Sequence, residues 1–158
     1  MAQPPEACPS GPPLQSYTVR QRFQRGLMFW IEETDTYYIL FNLGAHPTDS
    51  RLAFERLGPL VLKPGASADN RVGEEPPYGL IEPVRGFGLV WRGEVEGLTI
   101  DLRQALGWAT EHEVGFQSMF QCQRQESYSQ QICYLLNSNG ALVVLSSHAI
   151  AGNVWWWR

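Results

Sequence analysis

The chain has 158 residues, 44% of them apolar and 18% charged, with six Trp, six Tyr and seven Phe. That suffices for one ordinary domain with a proper core and excludes a chain that is disordered overall. The net charge is −4 and the pI about 5.3, with scattered basic residues, so nucleic acid is not an expected partner; no apolar run approaches the roughly 18 residues of a membrane span.

Residues 1–13 hold five of the 11 prolines and no apolar periodicity. They read as a Pro-rich leader or linker to a single β-rich domain at 14–158. The positive n-region and apolar h-region of a signal peptide are absent, and Met1 is read as opening a processed form whose export signal has been removed. From Tyr17 the signal is strand. Leu27–Glu32 and Thr36–Asn42 are rich in aromatic and β-branched residues and flank the turn-forming Glu33-Thr34-Asp35, which predicts a hairpin. Both faces of that hairpin are largely apolar, so it is expected at the centre of a sheet. A long Pro/Gly-rich loop follows at 43–77, with one short helical turn expected at Arg51–Leu57 and a short strand at Leu60–Leu62. Gly86–Trp91 reads as a short strand or turn. Thr99 is expected to cap a short helix that runs through Leu106 and stops at Gly107.

The last third returns to β, as a meander of Phe116–Arg124, Gln131–Asn137 and Ala141–Ser146. Asn139-Gly140 suits a type I′ turn. With the first turn at Glu126–Ser129, Cys122 and Cys133 stand opposite one another and can form a disulfide, leaving Cys8 outside it; the alternative is two buried thiols. A bridge fits export to an oxidising compartment, and the protein is placed outside the cell or at its surface. Trp155, Trp156 and Trp157 cannot all face one core from a strand, since alternate residues point oppositely. At least one is expected to be exposed, as an assembly contact, a junction or a sugar platform.

Two blocks carry a resemblance: Pro83-Val84-Arg85-Gly86-Phe87-Gly88-Leu89-Val90-Trp91-Arg92, and Leu106-Gly107-Trp108-Ala109-Thr110 with Glu113. Together with Cys8-Pro9 and Phe23–Trp30, they resemble a secreted or cell-surface domain of Chloroflexi-type bacteria. More distantly, Leu106–Glu113 is similar to the LGFP repeat of actinobacterial cell-wall proteins, with Ala109 where that repeat has proline. The LGFP likeness implies anchoring to envelope polysaccharide.

No nucleophile elbow, phosphate loop, zinc-protease or dinucleotide motif is present. Glu32, Glu33, Asp35, Glu74 and Glu75 cluster at a turn and in the loop, where solvated acids normally sit. Glu111-His112-Glu113 forms a conceivable metal corner without an identifiable third ligand, so neither metal nor cofactor is expected. The aromatic residues remain. Sugar rings pack C–H faces on indoles and phenols while Arg and carboxylates engage hydroxyls, and Trp30, Tyr37, Tyr78, Trp91 and Arg85 could build such a site. Trp30 and Trp91 are equally good core residues.

The expectation is therefore a mainly β fold of small antiparallel sheets, sandwich or barrel-like, with one short helix. Its function is read as non-catalytic binding of envelope polysaccharide or a cell-surface protein. The alternatives are a structural protein that self-associates through Trp155–Trp157, and a small hydrolase of envelope polysaccharide with Glu32 or Glu75 as its acid.

Overall fold

The computed structural model describes residues 12–125 and 129–158. The fold is mainly β, with strands β1 (Leu14–Phe23), β2 (Gly26–Ile31), β3 (Thr36–Phe41), β4 (Phe54–Leu57), β5 (Val114–Gln125), β6 (Gln130–Leu136), β7 (Leu142–His148) and β8 (Gly152–Trp157). Helices α1 (Arg85–Trp91) and α2 (Leu102–Leu106) lie between β4 and β5 in sequence. Two compact units are distinguished: Tyr17–Phe116, and 117–158 together with 12–16. Most of the expected leader, including Cys8, lies outside the described residues.

In the Tyr17–Phe116 unit the strand order is β4-β3-β2-β1, all neighbours antiparallel. The hairpin read from the sequence is present and central, since β2 is flanked by β1 and β3. Its residues alternate between faces, and both faces are buried: Met28 and Ile39 on one, Phe29, Ile31 and Leu40 on the other. On the first face Met28, Tyr37, Ile39 and Phe41 share a core with Phe87, Val90 and Trp91 of α1 and with Leu102 and Leu106 of α2.

Four local expectations are corrected here. Gly86–Trp91 belongs to a helix rather than a strand. Its two glycines lower helix propensity, but Phe87, Leu89, Val90 and Trp91 all become buried as α1 packs against the sheet. The segment around Arg51–Leu57 supplies strand β4 rather than a helical turn, because β3 offers it a free edge and Phe54 then packs 6.1 Å from Tyr38 between ring centroids. The expected strand at Leu60–Leu62 reduces to a bridge between Leu62 and Val95. The predicted helix is α2. Asp101 rather than Thr99 caps it, accepting a hydrogen bond from the Gln104 amide at 3.2 Å, and Gly107 ends it at φ +74°.

The second unit is a meander in the order β5-β6-β7-β8. Cys122 and Cys133 face each other across β5 and β6, with their sulfurs 2.05 Å apart in a disulfide. Of the turn expected at Glu126–Ser129, residues 126–128 lie outside the described residues. At the next turn only Gly140 takes a positive φ, while Asn137 carbonyl accepts from the Gly140 amide. This is a type I turn closed by a left-handed glycine, not the type I′ turn expected, which needs positive φ at Asn139 as well. β8 places Trp155 in the interior, whereas Trp156 and Trp157 are 38% and 40% exposed.

Candidate functional site

The register of the first three strands creates a lateral row of side chains. Val19 on β1 lies opposite Trp30 on β2, and Trp30 lies opposite Tyr37 on β3. Tyr17, two residues before Val19, continues the same face of β1. Together with this row, Arg85, Gly86 and Phe87 of α1, Glu113, and Gly115 of β5 line an open cavity of about 400 Å³. The cavity lies wholly within the Tyr17–Phe116 unit.

Aromatic contacts fix the walls. The Trp30 and Tyr37 rings are 6.3 Å apart between centroids, and Phe87 meets Tyr37 edge-on at 5.8 Å. The Trp30 Nε1–H donates to Asp35 Oδ1 at 2.9 Å, which sets the tilt of the indole and satisfies its one polar group. Two glycines leave the space open. A Cβ at Gly86 would overlap the Tyr37 hydroxyl, and a Cβ at Gly115 would overlap the Tyr17 hydroxyl. Any larger residue at either position would displace a phenol that lines the cavity.

The polar groups are few. Arg85 takes a left-handed backbone at φ +53°, uncommon for a residue with a Cβ, and its Nη1 comes to 3.6 Å from Glu113 Oε2. The Arg85 side chain is largely exposed and that of Glu113 is 18% exposed. Burial pushes the Glu113 carboxyl above the usual carboxylate range, and Arg85 only partly opposes this. Its Oε1 is buried without a hydrogen-bond partner among the described residues. Tyr37 is pushed up to about 12, first by burial and then by the negative charges of Asp35 and Glu113. Its phenol is therefore a neutral O–H at ordinary pH.

The structure brings three of the five expected ligand-binding residues together: Trp30, Tyr37 and Arg85. Trp91 is not with them. It is 1% exposed, donates Nε1–H to the Gly107 carbonyl at 2.8 Å and packs 5.2 Å from Trp108 between centroids, so it serves the core. Tyr78 is fully exposed and does not line the cavity; the Pro76-Pro77 loop carries it out on a turn closed by the Leu80 amide and the Pro77 carbonyl. Glu32 and Glu75 are exposed and also lie outside the lining. Glu111 and Glu113 do not form a joint corner: Glu111 lies 3.4 Å from Arg20 and 3.8 Å from Arg22, while Glu113 turns to the cavity.

Sequence reasoning missed Tyr17, Val19, Phe87, Glu113 and the two glycines as lining residues. A period-2 reading of β1 would have supplied Tyr17 and Val19. Only the approach of α1 and of residues 113–115 to the sheet face reveals the rest. No family model, curated protein or solved structure matches this chain.

Proposed function

We propose that the Tyr17–Phe116 unit is a non-catalytic carbohydrate-binding module, working outside the cell or at its surface on envelope polysaccharide. The observation that carries this reading is the convergence of Trp30, Tyr37 and Arg85 in one cavity of about 400 Å³, beside a single carboxyl. Such a cavity is at the small end of ligand sites and suits one sugar unit of a longer chain. Trp30 and the phenols supply apolar faces for ring C–H groups, while Arg85, Glu113 and the phenolic hydroxyls supply donors and acceptors for the rim of a sugar.

One further observation is in keeping with it. The Cys122–Cys133 bridge is compatible with an oxidising compartment. Hydrolysis by the usual pair of carboxyls requires two acids facing each other at about 5–9.5 Å, whereas Glu113 is the single acid among the described lining residues.

A panel of bacterial envelope polysaccharides, titrated against the full chain, tests the proposal. Trp30→Ala and Arg85→Ala are expected to weaken binding at least tenfold, about 1.4 kcal/mol, while Tyr78→Ala, Glu32→Gln and Glu75→Gln leave it unchanged. Release of reducing ends that disappears in Glu113→Gln would replace the binding reading with a hydrolytic one. A second reading, self-association, is favoured by the exposure of Trp156 and Trp157 on β8, the last strand in its order. It predicts a concentration-dependent dimer that Trp156→Ser abolishes, with no polysaccharide bound.

A further inference from the structure

The reading above leaves the kind of sugar open, and Glu113 narrows it. A carboxylate offers two oxygens and about four acceptor sites. At Glu113 one oxygen, Oε1, is buried and accepts no hydrogen bond within the described residues, and the other stands 3.6 Å from Arg85, beyond good hydrogen-bond length. That ion pair is weak, because the Arg85 side chain is 81% exposed and solvent screens it. The oxygen a ligand can reach is therefore Oε2, which has no donor within hydrogen-bond length among the described residues and is free to accept from one that a ligand brings. Trp30, Tyr37, Tyr17 and Phe87 line the same cavity, with Tyr17 exposed and Trp30 half-buried, and an accessible aromatic face attracts cations.

We propose that the cavity selects an amino sugar bearing a free ammonium group, with the ammonium donating to Glu113 and the pyranose ring resting on Trp30. The inference rests on the carbohydrate reading and sharpens it. A neutral hydroxyl can also donate to Glu113, but a charge-assisted hydrogen bond is about twice as strong. N-acetylation removes the charge. Without its acetyl group the same sugar gains both the carboxylate and the ring faces. A quaternary ammonium would satisfy the rings but has no N–H to donate to Glu113, so a protonated primary amine fits the site better. Tyr37, whose phenol stays protonated, adds an O–H donor for a ring or hydroxyl oxygen.

The test uses the full chain and three probes of equal length: a β-1,4-linked glucosamine tetramer, its fully N-acetylated counterpart and a β-1,4-linked glucose tetramer. Titrations are run at 150 mM salt, where general attraction to an acidic chain is largely screened. The glucosamine tetramer is expected to bind at least tenfold tighter than the other two. Glu113→Gln should shrink that preference to less than threefold, Arg85→Ala should weaken all three probes without changing their order, and Trp30→Ala should remove binding of all three. Equal affinity for the three probes, lost in Trp30→Ala, would overturn the amino-sugar inference and leave the carbohydrate reading standing. A preference that persists in Glu113→Gln would also overturn it, since the ammonium would then be held elsewhere. Binding of none of them, with an envelope polysaccharide still bound through Trp30, would refute the inference alone. Absence of binding to any saccharide would refute both.

Discussion

Gly86→Ala is the most direct perturbation of the cavity, because the structure assigns opposing effects to one methyl group. Gly86 lies in α1 with a negative φ, so alanine is compatible with its backbone and should gain up to about 1 kcal/mol of helix propensity. Against that, the new Cβ overlaps the Tyr37 hydroxyl, and Tyr37 is only 7% exposed, packed between Trp30 and Phe87. Overpacking of this kind costs about 1–3 kcal/mol. The net expectation is a loss of up to about 2 kcal/mol in the parent. Removing the hydroxyl changes the balance. In Tyr37→Phe the nearest ring atom is Cζ, 3.1 Å from the added methyl, which a small shift accommodates. There Gly86→Ala should be neutral or stabilising. Urea unfolding of the four proteins, compared at constant m, gives the coupling directly, and about 1–3 kcal/mol is expected. The same variant should weaken ligand binding in the Tyr37 background, because Tyr37 lines the cavity and its phenol must shift. An equal effect of Gly86→Ala in both backgrounds would show that the methyl meets something other than the hydroxyl and would refute the described closure of the cavity wall.

Three other outcomes are expected. Thiol titration of the denatured, unreduced protein should find one free thiol per chain; Cys122→Ser with Cys133→Ser should cost about 3 kcal/mol, the chain-entropy value for a loop of this size, and three titratable thiols would disprove the bridge. Gly107→Ala should cost about 2 kcal/mol or more, since its φ is +74° and a Cβ there would strike the Gln24 side chain, whose Oε1 accepts from the Trp108 amide at 3.1 Å; a thermal scan with an unchanged midpoint would contradict this. Glu113→Gln should stabilise the protein at neutral pH. The native carboxyl is raised by burial, so its folded state is most stable while it is protonated and loses stability as pH rises through the raised value. The advantage of the glutamine should therefore vanish below the ordinary carboxylate range, and an advantage independent of pH would point to packing instead.

Local chemistry along the chain determined a good part of this protein. Aromatic and β-branched runs on either side of Glu33-Thr34-Asp35 dictate the β2–β3 hairpin, and apolar residues on both of its faces dictate its central place, because neither face tolerates water. Gly107 after an apolar i, i+4 pair dictates the end of α2. The equal spacing of Cys122 and Cys133 from their turn permits the bridge, since antiparallel register follows from the turn. Trp30 and Tyr37 were legible as candidate ligand residues, but their pairing across β2 and β3 was not, since equal spacing about Glu33-Thr34-Asp35 would set Trp30 opposite Tyr38.

Tertiary structure decided what local preference leaves undetermined. Arg85–Trp91 carries two glycines and an alternating apolar pattern, and only burial against Tyr37, Ile39 and Trp108 makes it a helix. The segment Phe54–Leu57 becomes a strand because β3 has unpaired backbone groups to satisfy, a demand made by distant residues. The site depends on the same kind of fact. Trp30 and Trp91 are indistinguishable by composition, yet Trp30 on β2 lines a cavity, while Trp91 at the end of α1 fills a core. Glu113 looked like a member of an acidic pair with Glu111. Its separation from Arg20 and Arg22, its lost hydration and its place beside Arg85 arise only when the chain returns, some eighty residues later, to the face begun by Val19, Trp30 and Tyr37.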